Sequence, residues 1–110
     1  MLANSWDMNI LEEMGKIIGS EMKKFHVHLW LAPGMNIHRN PLCGRNFEYF
    51  SEDPILSGLC AYYETKGVQS FPGMSVTIKH FAANRNACYN HRLKNLWNNY
   101  IRLEYLIRLR

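Results

Sequence analysis

The chain has 110 residues, a hydrophobic fraction of 47% and a charged fraction of 20%, the balance of one globular domain. Eleven Gly and Pro residues exclude a fibrous or low-complexity chain, and no apolar run reaches the length of a transmembrane helix. The net charge of +4 divides unevenly: residues 1–84 hold seven Lys/Arg against eight acids, and residues 85–110 hold six against one. No basic leader followed by an apolar core opens the sequence, so no signal peptide is legible and a cytoplasmic setting is the default expectation. Three widely spaced cysteines, Cys43, Cys60 and Cys88, argue for reduced thiols and against a disulfide framework.

Asp7 is a good N-cap for a first helix. Ile10, Leu11, Met14, Ile17, Ile18, Met22 and Phe25 then recur at spacings of three and four, one apolar stripe. Gly15 and Gly19 lie inside it, costing about 1 kcal/mol each relative to Ala, which points to close packing against a neighbour. Val27 to Leu31 reads as a buried strand ending at Ala32-Pro33-Gly34. The polar stretch from Met35 to Glu52 reads as a long loop, and loops of that length are often functional. A second helix is punctuated by Asp53 as cap, Pro54 at its first position and Gly67 as stop, with Leu56, Leu59, Cys60 and Tyr63 as inner stripe. Met74, Val76 and Ile78 alternate with Ser75, Thr77 and Lys79, a second strand. His91 to Arg110 reads as a third helix, amphipathic and basic.

Strands alternating with helices imply right-handed βαβ units and a parallel sheet. In such folds functional groups gather at the carboxyl ends of the strands. The stretches to search are therefore Asn36 to Glu52 and Lys79 to Asn84.

Those stretches carry a resemblance. Leu31-Ala32-Pro33-Gly34-Met35-Asn36-Ile37-His38-Arg39-Asn40-Pro41 runs into Cys43-Gly44-Arg45-Asn46-Phe47-Glu48-Tyr49-Phe50-Ser51-Glu52-Asp53-Pro54. Gly67-Val68-Gln69-Ser70 then precedes Thr77-Ile78-Lys79-His80-Phe81-Ala82-Ala83-Asn84. Together with Ser5-Trp6-Asp7, these segments closely resemble the N-terminal barrel domain of glycoside hydrolase family 3, the β-glucosidase family, over about residues 2–84. The resemblance implies an α/β chain that is a fragment of a (β/α)8 TIM-type barrel, roughly three βα units with a C-terminal helix; a whole barrel needs about 250 residues. It implies a retaining β-glycosidase acting on terminal O-glycosidic bonds of a β-linked glucoside through two carboxyl groups, with no cofactor. It also implies that Arg45, Lys79 and His80 hold the terminal sugar, chemistry that suits a ligand rich in hydroxyls. Taken without the resemblance, Arg45 could be an ion pair with Glu48 or Glu52, Lys79 a solvated strand end and His80 a satisfied core histidine.

Two departures accompany the match. The family's aspartate nucleophile lies in a Ser-Asp-Trp motif that does not occur here, and its acid/base lies further on, so no catalytic residue is assigned and the isolated chain is expected to be inactive. The adjacent Glu52 and Asp53 are rejected as a catalytic pair, because sequence neighbours rarely face each other across a substrate. After Asn84 the match fades into Arg85-Asn86-Ala87-Cys88, where the charge also turns basic. A shift of reading frame accounts for both facts, as does a divergent C-terminal helix, and residues 85–110 are set apart as a basic tail. The alternative function is nucleic-acid or partner binding by that tail, through Arg85, Arg92, Lys94, Arg102, Arg108 and Arg110 with Tyr89, Trp97 and Tyr100. His26 with His28, His38 with Cys43, and Cys88 with His91 do not supply two close ligand pairs, so no metal is assigned. Unpaired outer strands lead to an expectation of self-association.

Overall fold

Asp7 opens the first helix as its chemistry predicts. Its carboxylate accepts the Asn9 backbone N–H at 2.9 Å, and α1 runs Met8–Lys24. These and the following features come from a computed structural model, which describes residues 2–80. The predicted third helix and the basic tail lie outside the described residues. A 3-10 turn, Leu2–Ser5, precedes α1. Only part of the predicted stripe faces inward: Leu11 and Met22 are buried and Ile18 is half-buried, with Gly15 and Gly19 between them. Ile10, Met14, Ile17 and Phe25 are exposed.

The second helix, α2, spans Pro54–Gln69. Asp53 accepts the N–H groups of Ile55 and Leu56 at 2.7 and 3.4 Å, and Pro54 occupies a first-turn position where its missing N–H costs nothing. Gly67 does not stop this helix. It lies inside α2 because α1 leaves no room for a side chain there: a Cβ on Gly67 would stand 2.2 Å from the Glu12 carbonyl oxygen. A Cβ on Gly15 would stand 2.2 Å from the Glu64 carbonyl oxygen and 2.9 Å from the Gly67 Cα. Two helices thus meet backbone to backbone at a glycine pair, as the spacing of Gly15 and Gly19 anticipates. Because α2 touches both α1 and the sheet, it is buried on several sides. Leu56 and Cys60 of the predicted stripe are buried and Leu59 and Tyr63 half-buried, but Ser57, Glu64 and Thr65 are buried as well.

Two short strands, β1 (Leu29–Trp30) and β2 (Ser75–Val76), pair in parallel, Leu29 with Ser75 and Trp30 with Val76. The ladder extends through Ser75 N–H to the His28 carbonyl at 2.9 Å and Thr77 N–H to the Trp30 carbonyl at 2.7 Å. It is interrupted after the Trp30–Thr77 bond and resumes where Gly34 pairs with Lys79. The expectation of a buried first strand is corrected: Val27, Leu29 and Leu31 are all exposed, Leu31 by 64%. Parallel strands are buried on both faces only when both faces are covered, and among the described residues nothing covers this one. The core is built from Leu11, Leu56 and Cys60 with Ala3, from Met22, Val68 and Met74, and from Met35, Ile37 and Ala61. Met35 and Ile37 therefore leave the predicted loop and join the core.

Candidate functional site

Beyond Pro33 the two chain segments run side by side. Lys79 N–H donates to the Pro33 carbonyl at 2.9 Å, and Met35 N–H donates to the Lys79 carbonyl at 2.8 Å. This places Asn36, 4% exposed, against His80. The Asn36 side-chain oxygen accepts the His80 backbone N–H at 2.9 Å and stands 2.9 Å from His80 Nδ1. Tyr49 Oη lies 3.2 Å from the same ring nitrogen, and the two rings meet edge to face with centroids 6.0 Å apart.

The loop over the site is fixed by its own polar groups. The His38 N–H donates to the Ser51 carbonyl at 3.0 Å, and His38 Nε2 donates to the Asn46 carbonyl at 2.8 Å. Asn46 Nδ2 donates to the Asn40 carbonyl at 2.8 Å, and the Asn40 side-chain oxygen accepts the Leu42 N–H at 2.9 Å. A 3-10 turn, Asn46–Glu48, results, with Arg45 at its N-cap. A three-residue step in such a turn brings side chains onto one side, and the Arg45 Nε donates to Glu48 Oε1. Lys79 Nζ lies 2.8 Å from the other carboxylate oxygen, Glu48 Oε2.

One carboxylate therefore bridges two cations. Burial would push the Glu48 carboxyl up, but the hydrogen bonds and charges of Arg45 and Lys79 outweigh it and hold Glu48 below the usual carboxylate range. His80 moves down from its usual value, first through burial and then through the positive charges of Arg45 and Lys79, with Glu48 opposing. The imidazole is thus held neutral near pH 7. A cavity of about 380 Å³ opens beside this cluster, its walls including Trp30, Pro33, Tyr49, Phe50 and two carboxylate residues, Glu48 and Glu64.

Of the three residues singled out in the sequence, Arg45 and Lys79 meet on Glu48, and His80, next to Lys79 in the chain, is held beside them by Asn36 and Tyr49. Three others escaped the sequence as site residues. Asn36 was hidden as a lone polar residue between Met35 and Ile37, and Tyr49 was hidden in an aromatic run. Glu48 was visible only as an ion-pair partner for Arg45. The metal reading gains no geometry: His26 adopts a φ of +56° where the chain leaves α1, so it does not share a strand face with His28. Among the described residues no group of three His, Cys, Asp or Glu side chains converges. Cys60 is fully buried, and burial followed by the nearby Glu64 charge pushes its thiol up to about 11. Cys88, His91 and the cationic and aromatic residues of the nucleic-acid reading lie outside the described residues.

A two-stranded parallel sheet packed against two helices, with donors gathered around one carboxylate beyond the strand ends, is an α/β arrangement. The "Glycosyl hydrolase family 3 N terminal domain" profile matches residues 1–101. The chain belongs to that family. It is 54% identical over 83 residues to "Thermostable beta-glucosidase B" of Acetivibrio thermocellus, a match covering 76% of this chain and 11% of that relative. It is 49% identical over 84 residues to "Beta-glucosidase A" of Butyrivibrio fibrisolvens, covering 76% of this chain and 10% of the relative. Among solved structures, β-glucosidase 3B from Thermotoga neapolitana in complex with α-D-glucose superposes with a TM-score of 0.73 at 60% identity, covering 76% of this chain and 12% of that one. The β-glucosidase from Kluyveromyces marxianus in complex with glucose gives a TM-score of 0.73 at 40% identity, covering 76% of this chain and 10% of that one. The chain therefore spans about a tenth of the length of the relatives it matches.

Proposed function

We propose that this chain carries part of the terminal-sugar subsite of a retaining β-glycosidase of the β-glucosidase kind, within a slice of about three βα units of a (β/α)8 barrel. The observation that carries this reading is the convergence of Arg45, Lys79 and His80 at the carboxyl ends of parallel strands. Barrel enzymes build their sites at that end, and the 60%-identical relative is described in complex with glucose. Arg45 and Lys79 offer only donors, and Glu48 aims both at the same region without consuming their remaining N–H groups. The sugar's hydroxyl oxygens accept from them. The described residues supply binding and orientation, not bond cleavage. Retaining hydrolysis needs two free carboxyl groups about 5–5.5 Å apart across the bond, whereas Glu48 is engaged by two cations and Asp53 caps α2.

Glucose titrated into the chain and followed by amide chemical shifts tests this. Shifts are expected at the 34–36, 45–49 and 79–80 segments. Arg45→Ala and Lys79→Ala should each weaken binding by about tenfold or more, the value of a charge-assisted hydrogen bond. Binding unchanged in both variants would overturn the reading, and turnover of an aryl β-glucoside by the purified chain would overturn the assignment of chemistry elsewhere.

The exposed row Val27, Leu29 and Leu31 belongs to the same proposal. Uncovered apolar strand faces and unpaired edges favour association with a second copy. Sedimentation should show mass rising with concentration. Leu29→Lys with Leu31→Lys should return the chain to monomer, and a monomer at all concentrations in the parent chain would contradict it.

A further inference from the structure

We propose that Asn36 is a positioning residue that fixes the tautomer of His80, placing the ring proton on Nδ1 and leaving Nε2 as a hydrogen-bond acceptor. The His80 backbone N–H points at the Asn36 side-chain oxygen from 2.9 Å, and a backbone N–H can only donate. The group at that position is therefore the amide oxygen, because a flipped carboxamide would set N–H against N–H. The same oxygen stands 2.9 Å from His80 Nδ1. An unprotonated Nδ1 would bring two lone pairs together at hydrogen-bond distance, so Nδ1 carries the proton. Asn36 accepts both bonds with its two lone pairs. Tyr49 Oη, 3.2 Å from Nδ1, receives the weaker share of the same N–H.

Burial and the charges of Arg45 and Lys79 keep His80 from taking a second proton. A neutral imidazole with its proton on Nδ1 has one remaining polar atom, the Nε2 lone pair. The consequence for recognition rests on the sugar-subsite reading above. Arg45 and Lys79 saturate hydroxyl oxygens but cannot receive hydroxyl protons. With Asn36 in place, His80 adds a neutral acceptor beside those donors, able to receive a hydroxyl proton. Without Asn36 the ring is free to move its proton to Nε2, and His80 then presents a donor there in place of an acceptor.

Long-range proton–nitrogen correlation spectra of the ¹⁵N-labelled full chain, with His80 assigned through His80→Gln, test this directly. The parent chain should show His80 with a protonated Nδ1 and an unprotonated Nε2 at pH 7.5. Asn36→Asp, which keeps the acceptor, should retain that pattern; Asn36→Leu should move the proton to Nε2 and weaken glucose binding by about tenfold. The parent-chain spectrum decides the matter even if Asn36→Leu fails to fold, and a proton on Nε2 in the parent overturns the proposal. Nδ1 protonation combined with a His80 Nε2 signal that glucose leaves unmoved would sustain the positioning role and overturn the sugar-subsite reading instead.

Discussion

Replacing Gly15 with Ala is expected to destabilise the fold by about 2 kcal/mol or more, although Ala is by about 1 kcal/mol the better helix former. The new methyl group would stand 2.2 Å from the Glu64 carbonyl oxygen and 2.9 Å from the Gly67 Cα. Both are backbone atoms, so no side-chain rotation relieves the contact and the helices must move apart. Separation would loosen the packing of Leu11 on Leu56 and Cys60 and of Met22 on Val68. Gly67→Ala should behave alike, since its Cβ would meet the Glu12 carbonyl oxygen at 2.2 Å. Gly44→Ala, with nothing within 4 Å of the added atom, should be close to neutral. Chemical denaturation of the three variants provides the comparison. A Gly15→Ala chain as stable as its parent would show that the glycine contact does not set the helix spacing.

Glu64 should make the chain less stable as pH rises. Glu64 is 6% exposed, and burial pushes its carboxyl up to about 7 from an ordinary value of 4.5. The folded state then holds a proton that the unfolded state releases at lower pH. The stabilising contribution is complete below pH 4.5 and is lost as pH climbs to about 7, in all about 3 kcal/mol. Glu48 acts with the opposite sign, since its lowered value gives stability that acid removes. The difference between the parent and Glu64→Gln isolates Glu64. The two chains should unfold alike at pH 4, and the variant should be more stable at pH 8 by about 3 kcal/mol, a rise in Tm on the order of 10 °C. Parallel stability curves for the two chains between pH 4 and 8 would refute this role for Glu64.

Local signals were legible in the sequence, and assembly was less so. Asp7 and Asp53 announce helix starts because a carboxylate two or three residues ahead of free N–H groups is self-sufficient chemistry. Gly15 and Gly19 announce a close neighbour because their cost needs a reason. What periodicity cannot reveal is which part of a wide stripe gets covered: Leu11 and Ile10 read alike, but only Leu11 is buried. Nor can it reveal a buried polar face, and hydropathy alone would place Ser57, Glu64 and Thr65 of α2 outside. Gly67 carries the usual signature of a helix stop, and tertiary contact with Gly15 overrides it. Arg45, Lys79 and His80 stood out through family resemblance rather than spacing. Asn36 and His80, separated by 44 positions, share a hydrogen bond that no local pattern encodes.

The pairing of Gly34 with Lys79 makes the site a gauge of strand alignment. Successive residues of a strand point to opposite faces, so sliding β2 by one residue, roughly 3.3 Å, would present Ile78 or His80 to Glu48 in place of Lys79. The same slip would carry the His80 N–H away from Asn36. Such a chain could keep both helices and its helical circular dichroism yet lose every polar contact of the cluster at once. Under the proposed sugar-subsite reading, glucose affinity reports where the strands have locked, which helical circular dichroism does not.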